Sequence, residues 1–382
     1  MNFEFQTPRS TLVGSGTSGR LGELARQLRC QTIFLVTDKG VEQAGLLKPA
    51  LASLAAAGIA VTVYSNVQAD PPAAIVMAAV DAAVSAQADG VIGLGGGSSL
   101  DVAKLVALLA PGHETLEQVY GVGAAKGPRL PLILVPTTAG TGSEVTAISI
   151  VTTGEGQKKG VVTPVIIPDW AVLDADLTLG LPPHVTAATG VDAMVHAIEA
   201  FTSKRLKNPL SDVLAREALA LLGANIHEVC RNGSNRVARE NMLLGAMLAG
   251  MAFANSPVAA VHALAYPIGA RFHVPHGLSN SLVLPAVLRF NAEAAPELYA
   301  QLADILVPGV GGTTSEKTTA LVRYLAALPA ELGLPTRLAD VGIVEADLPS
   351  LAEDAMLQTR LLVNNPRELL LADAHAIYAE VL

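Results

Sequence analysis

The hydrophobic pattern of this 382-residue chain changes once, near Leu181-Pro182-Pro183, and that change limits the available folds more than any other feature. Between Cys30 and Leu181, short runs rich in Val, Ile and Thr alternate with Ala- and Leu-rich segments of helical spacing. The runs 32–37, 61–64, 90–94 and 132–135 are apolar on successive residues, as strands buried on both faces of a parallel sheet must be. Segments 41–58, 73–88 and 100–110 predict the helices that cover those faces. Region 147–172, with the polar turn Thr153-Gly154-Glu155-Gly156, predicts a hairpin, and the first thirty residues admit an edge strand. Beyond Pro183 only helical spacing remains, over 184–202, 209–231, 235–254, 256–272, 294–306, 315–332, 345–359 and 371–382. The expected organisation is an α/β nucleotide-binding domain over 1–182 and an all-α domain over 183–382. The length agrees, because one core stops growing at about 250–300 residues.

Composition excludes several function classes. With 51% hydrophobic and 15% charged residues the chain lies far from the disordered regime. A net charge of -9 without clustered Lys/Arg argues against a nucleic-acid partner. Cys30 and Cys230 have no CxxC or Cys-His spacing, so neither a disulfide framework nor a thiolate metal site is expected. The N-terminus, MNFEFQTPRS, lacks the basic and apolar regions of a signal peptide. Despite a mean hydropathy of +0.44, no apolar run reaches the ~18 residues of a membrane span. The expected location is the cytoplasm, with no membrane partner.

Two segments of the helical half concentrate metal-ligating residue types. In GVDAMVHAIEAF, 190–201, Asp192 and His196 stand four residues apart and share one helix face, either as a salt link or as two ligands. The segment VHALAYPIGARFHVPHGLSN, 261–280, adds His262 and His276 in a poorly charged setting. One carboxylate and three imidazoles suit a divalent transition metal.

The α/β half carries two loops suited to a nucleotide. DGVIGLGGGSSLDVAK, 89–104, reads as strand, glycine turn and helix start. Three successive glycines let backbone amides approach a ligand, and the helix start points free N–H groups and its positive dipole end at an anion such as a pyrophosphate. The spacing Gly93-x-Gly95-x-x-Ser98 misses the full GxGxxG pattern, so a tight strand-to-helix turn alone also explains it. In VPTTAGTGSEVT, 135–146, a second strand runs into hydroxyls and glycines able to hydrogen-bond phosphate or ribose. Asp38, just past the run 32–37, is placed to accept from a ribose 2′-hydroxyl and to repel a 2′-phosphate, favouring NAD over NADP; a turn-forming role explains it equally simply. Lys158 and Lys159 follow the polar turn, within reach of a cofactor phosphate or ribose or simply solvated.

Taken together, GGGSSLDVAK (95–104), PTTAGTGSEVT (136–146), IPDWAVLDADLTLGLPP (167–183), GVDAMVHAIEAF (190–201), and HALAYPIG with PHGLSN (262–280) resemble the iron-containing (group III) alcohol dehydrogenases of the dehydroquinate-synthase-like superfamily. The resemblance implies an N-terminal α/β domain, a C-terminal helical domain and an active site in the cleft between them. It carries the metal ligands onto Asp192, His196, His262 and His276, and the pyrophosphate loop onto Gly95, Gly96, Gly97 and Ser98, with Asp101 in the same motif. The second nucleotide loop falls on Thr137, Thr138, Thr141 and Ser143, the cofactor-selecting acid on Asp38, and a substrate-side aromatic on Phe253. Many members have a second histidine four residues after the third ligand, near the nicotinamide; here Tyr266 stands there, and a phenol of reference pKa ~10 is a poor proton acceptor at neutral pH. Tyr266 is thus read as a hydrogen-bond donor, a pocket filler or packing, with His273 as a substitute relay or an exposed loop residue.

The activity this implies is NAD-dependent oxidation of small alcohols or reduction of small aldehydes, with the metal as Lewis acid. The resemblance points to Fe²⁺, while the residue types equally permit Zn²⁺. It also implies a homo-oligomer, dimer or larger. Reduction of an oxo-diacid, as by maleylacetate reductases, would require a basic pocket, and the ligand segments offer only Arg271 with Lys204, Arg205 and Lys207. A lyase like dehydroquinate synthase would need more cations still. A scaffold without catalysis would have no use for four ligands in register.

Overall fold

The computed structural model describes residues 2–154 and 157–382 and divides into two compact units, one spanning Gln6–Gly180 and the other Leu181–Leu382 with the stretch ending at Phe5. The division falls where the β pattern ends. The last two residues of the expected polar turn, Glu155 and Gly156, lie outside the described residues.

In the first unit the strands are β1 (Ser10–Val13), β2 (Thr32–Val36), β3 (Ala60–Tyr64), β4 (Gly90–Gly95), β5 (Gly121–Val122), β6 (Leu132–Pro136), β7 (Ile148–Thr152), β8 (Lys158–Val162) and β9 (Trp170–Leu173). Six form one parallel sheet in the order β1-β9-β6-β4-β2-β3. Alternation along each strand separates two cores. Phe34, Val36, Val91, Leu132 and Leu134 face helices α4 (Ala73–Ser85) and α5 (Gly97–Leu109). Ile33, Leu35, Ile92, Leu94, Ile133 and Val135 face α1 (Leu21–Gln27) and α3 (Lys48–Ala56). Each such side chain, fully buried, contributes about 1.5–3 kcal/mol of transfer free energy.

Two expectations need correction here. The predicted helix over 41–58 is two, α2 (Lys39–Gln43) and α3, because Gly45 adopts a φ of 72° and turns the chain between them. The expected hairpin over 147–172 is the antiparallel pair β7–β8 alone, set in a separate sheet of order β5-β8-β7, whereas β9 leaves to join the large sheet. The edge strand admitted for the N-terminal residues is β1, paired parallel to β9.

The second unit contains α7 (Pro183–Thr202), α8 (Pro209–Arg231), α9 (Arg236–Asn255), α10 (Ala260–Phe272), α11 (His276–Ala292), α12 (Pro296–Leu306), α13 (Thr314–Glu331), α14 (Leu348–Met356), α15 (Thr359–Leu362) and α16 (Leu371–Glu380), after the short α6 (Leu116–Val119) of the first unit. The sequence reading missed α11. Its interior Pro285 reads as a breaker, and burial on almost every side removes the polar stripe by which a helix is recognised. α10 begins four residues later than expected, because the chain turns through Ser256–Ala259, with Ser256 bonded back to the carbonyl of Ala200 at 2.7 Å. No single helix among the described residues is long and apolar enough to cross a membrane; α9 and α10 together would be, but they meet at 105°.

Candidate metal and nucleotide sites

Three helices of the second unit build the metal-ligating cluster. α7 supplies Asp192 and His196 from its buried middle, α10 supplies His262 in its first turn, and α11 supplies His276 as its first residue. Their ligand atoms all lie within 4.8 Å of one another. The three imidazoles turn Nε2 toward one oxygen, Asp192 Oδ1, at 3.9 Å from His196, 3.9 Å from His262 and 3.6 Å from His276. Burial acts to raise the Asp192 carboxyl, but the three imidazoles and the Asn280 amide outweigh it and hold the group below its ordinary value. One carboxylate and three Nε2 atoms at these separations fit a divalent cation placed between them, at the ~2.0–2.2 Å that such ligands adopt.

Around this cluster the side chains are ordered by aromatic contact. Phe253, 8% exposed, stacks on His196 with ring centroids 4.3 Å apart, and His196 stacks on His262 at 4.8 Å. Tyr266, one turn after His262, presents its ring to His276 at 5.8 Å and edge-on to His262 at 6.4 Å. His273 is exposed in the left-handed C-cap of α10 and is not among the four ligands.

Two polar residues that touch the ligands escaped the sequence reading. Glu199 lies three residues after His196, so that Asp192, His196 and Glu199 follow the i, i+4, i+7 spacing of one helix face. Its Oε2 is 2.6 Å from His262 Nδ1, and its Oε1 accepts from the Val261 backbone N–H at 2.7 Å. Asn280, a turn after His276, donates from Nδ2 to Asp192 Oδ1 at 2.6 Å. The apolar letters around Glu199 hid it, although the period was there to be read.

Two of the four cations that the ligand segments offer an oxo-diacid are engaged by other groups. Arg271 binds Asp354 at 2.6 Å and Ser350 at 2.8 Å. Lys207 binds Asp212 at 2.5 Å and covers the Phe201 ring. Lys204 and Arg205 are exposed.

In the first unit the glycine run ends β4 and starts α5. Gly96 is the N-cap, with no capping side chain of its own, which leaves the first N–H groups of the helix free for a ligand. A cavity of about 390 Å³ opens beside it, lined by Asp38, Lys39, Gly40, Val67, Gln68 and Ala69 together with Gly96–Ser99. Asp38 caps α2 through a 3.0 Å bond from the Val41 N–H, and Ser99 Oγ donates to its other oxygen at 3.3 Å. The second loop packs on the first: a Cβ built on Gly97 would stand 2.8 Å from Thr141 Cγ2, and one on Gly96 would stand 3.8 Å from Thr138. Thr137, whose N–H donates to the Gly95 carbonyl, continues the same contact beyond β6.

A buried ionic group holds these loops together. Asp101 accepts from Ser143 Oγ at 2.6 Å and from the Ile150 N–H at 2.9 Å. Lys104, absent from the sequence reading, is fully buried and donates to Ser143 Oγ, Thr146 Oγ1 and the Ile148 carbonyl at 2.9, 3.1 and 2.7 Å. Burial lowers its ammonium pKa, against the pull of Asp101 and Glu144. Burial likewise pushes the Glu144 carboxyl up to about 7, opposed by its own backbone N–H and by Lys104. Lys159 stands exposed on β8 with its ammonium 5.6 Å above the Tyr120 ring, while Lys158 pairs with Asp70 at 2.6 Å.

Comparison with known proteins returns one consistent result. Residues 8–175 match the family model described as iron-containing alcohol dehydrogenase, and residues 186–382 match that of the Fe-containing alcohol dehydrogenase family, C-terminal. The chain is 40% identical over 380 residues to Long-chain-alcohol dehydrogenase 1 of Geobacillus thermodenitrificans, covering 97% of this chain and 94% of that protein. It superposes on the crystal structure of a 1,3-propanediol oxidoreductase with a TM-score of 0.97 at 33% identity, covering 100% of both chains. Superposition on a sulfoacetaldehyde reductase from Bifidobacterium kashiwanohense, solved in complex with NAD+, gives a TM-score of 0.90 at 27% identity, covering 100% of this chain and 99% of the other.

Proposed function

The chain belongs to the iron-containing alcohol dehydrogenase family, and we propose that it interconverts small alcohols and aldehydes with NAD(H), using a divalent metal, Fe²⁺ by family and Zn²⁺ by ligand type, held by Asp192, His196, His262 and His276. The observation that carries this reading is the convergence of three Nε2 atoms on Asp192 Oδ1 within a buried cluster. A cation bound there supplies Lewis acidity, which lowers the pKa of an alcohol and polarises a carbonyl. Asp192 offsets one of its two positive charges from a site 1% exposed. Phe253, stacked on His196, and Tyr266, beside His276, wall the metal group and limit the substrate to what fits against two rings. The Tyr266 hydroxyl is assigned as a hydrogen-bond donor to the substrate rather than as a base.

In the α/β unit, Gly95, Gly96, Gly97 and Ser98 are assigned to the pyrophosphate, and Thr137, Thr138 and Thr141 to the phosphate and ribose, with Ser143, whose hydroxyl is held by Asp101 and Lys104, shaping that loop. The free N–H groups of α5 and the neighbouring cavity support this. Asp38, which lines the same cavity, is assigned to the ribose diol and thereby to NAD over NADP. Asp101 is assigned to the second loop through Ser143, and Lys159 to the outer edge of the cofactor site. A homo-oligomer in the cytoplasm belongs to the same reading; it rests on the family, and light scattering of the purified protein tests the oligomer.

The deciding experiment strips the protein of metal, reloads it anaerobically with Fe²⁺ or Zn²⁺, and follows NADH oxidation with a panel of small aldehydes. Metal-dependent turnover is expected, and His262→Ala or His276→Ala should lose metal and activity together. Full turnover by the metal-free protein would sink the assignment.

A further inference from the structure

We propose that Glu199 is a positioning residue that sets the tautomer of His262 and so governs how tightly the cluster holds a metal, an inference that rests on the metal reading above. A histidine can bind a cation through Nε2 only if its proton resides on Nδ1. Glu199 Oε2 lies 2.6 Å from that Nδ1, with both side chains at most 5% exposed, and an ionised carboxylate can only accept. The Nδ1–H therefore donates to Glu199, and the Nε2 lone pair is left facing Asp192 and His276.

The second oxygen of Glu199 is also committed, which makes the group hard to replace. α10 begins after Ala259, a residue without a capping side chain, and none of its first-turn residues is acidic. Glu199 Oε1 reaches across from α7 to accept from the Val261 N–H at 2.7 Å, satisfying one of the donors that a helix start leaves open. Both oxygens thus receive N–H donors, one from the backbone that starts α10 and one from the ring that α10 carries. On the far side of that ring, Asn280 Nδ2, which already donates to Asp192 Oδ1, stands 3.2 Å from His262 Nε2 and 3.3 Å from His276 Nε2, so its remaining proton is shared between them. That contact is compatible with the tautomer Glu199 selects.

A glutamine at 199 would break this arrangement without removing any heavy-atom contact. It has one accepting oxygen and one NH₂ group, and two N–H donors compete for the oxygen. With the oxygen taken by the fixed Val261 N–H, the NH₂ faces Nδ1 and moves the ring proton to Nε2, the position the metal needs. Glu199→Gln should therefore fold like wild type, show the Nε2–H form of His262 in ¹⁵N spectra of the metal-free protein, and bind Zn²⁺ about 10–100-fold more weakly. Glu199→Asp, with both acceptors retained on a shorter stem, should recover part of that loss.

The test measures Zn²⁺ dissociation constants by competition with a chelator for wild type, Glu199→Gln and Glu199→Asp, together with the thermal midpoint of each metal-free protein. Weaker binding by the glutamine variant at an unchanged midpoint, with the Nε2–H form of His262, is the expected result. Equal Zn²⁺ affinity in wild type and Glu199→Gln overturns the role of Glu199 and leaves the metal reading intact. Wild-type protein that takes up no Zn²⁺ or Fe²⁺ overturns the metal reading and this proposal with it. A lowered midpoint with no change of tautomer shows Glu199 to be a helix cap only, and also overturns the proposal.

Discussion

Gly277 lies directly against the backbone of Ala188: a Cβ added to it would stand 2.3 Å from the Ala188 carbonyl oxygen and 3.2 Å from Asp192 Cβ. α11 can thus approach α7 only because residue 277 has no side chain, and the adjacent His276 reaches Asp192 through that approach. Gly277→Ala should push the start of α11 outward. The overpacking costs about 1–3 kcal/mol, and His276 Nε2 moves away from its 3.6 Å separation from Asp192 Oδ1. The expected outcome is a lower thermal midpoint and metal affinity weakened by at least about tenfold, the order seen when ligand-supporting contacts are lost. Unchanged metal affinity in the destabilised variant would show that His276 is held from elsewhere on α11.

The glycine run allows a sharper test, because the atom it avoids is known. A methyl group on Gly97 would meet Thr141 Cγ2 at 2.8 Å, so Gly97→Ala separates the two loops assigned to the cofactor. The KM for NADH should rise while metal content stays at the wild-type level. Thr141→Ser removes the nearest of the crowding atoms, Cγ2, and leaves Oγ1 at 3.0 Å and Cβ at 3.2 Å, so it relieves the crowding in part. The double variant should therefore bind NADH better than Gly97→Ala alone, a coupling of the kind that neighbouring residues show and distant ones do not. Additive effects would mean that the two loops do not meet at this point in solution.

What the sequence made legible, and what it hid, follows from where each signal lies. Asp192 and His196 could be paired because helical spacing is local, whereas their meeting with His262 and His276 depends on how three helices pack. Glu199 was hidden although it lies seven residues from Asp192, because a single carboxylate among apolar letters reads as one more charge until its partner, 63 residues away, is known. Lys104 was hidden for the opposite reason: lysine is expected at the surface, and only the fold of the turn carrying Ser143 and Thr146 into β7 at Ile148 shows what surrounds it. Four of the six strands of the large sheet, β2, β3, β4 and β6, came through as apolar runs, and α11 did not, since a helix buried all round loses the polar face that gives it a period.

Asp38 carries two loads, and they can be separated. It caps α2 through the Val41 N–H, and its carboxylate lines the cavity beside the glycine run. Asparagine caps helices as well as aspartate but carries no charge to repel a 2′-phosphate. Asp38→Asn should keep the thermal midpoint and raise kcat/KM for NADPH relative to NADH. A variant that keeps its stability and still rejects NADPH would show that cofactor choice is made elsewhere, leaving Asp38 as a cap.

Glu144 makes the stability of the α/β unit depend on pH with a definite sign. Burial raises its carboxyl from an ordinary value of 4.5 to about 7, so between those limits the folded protein holds a proton that the unfolded chain gives up. Stability follows the difference in bound protons, unfolded minus folded, which is negative here, so it falls as pH rises from about 4.5 to about 7. The full loss amounts to roughly 3 kcal/mol above that range. The attraction of the Lys104 ammonium opposes burial and is already contained in that raised value. Glu144→Gln keeps the shape and removes the titration. Its thermal midpoint should match wild type near pH ~4 and exceed it by several degrees, about 2–4 °C per kcal/mol, near pH ~8. A wild-type midpoint that is flat across this interval, or a glutamine variant less stable at the alkaline end, would mean that Glu144 is ionised in the folded protein and bound to Lys104 instead.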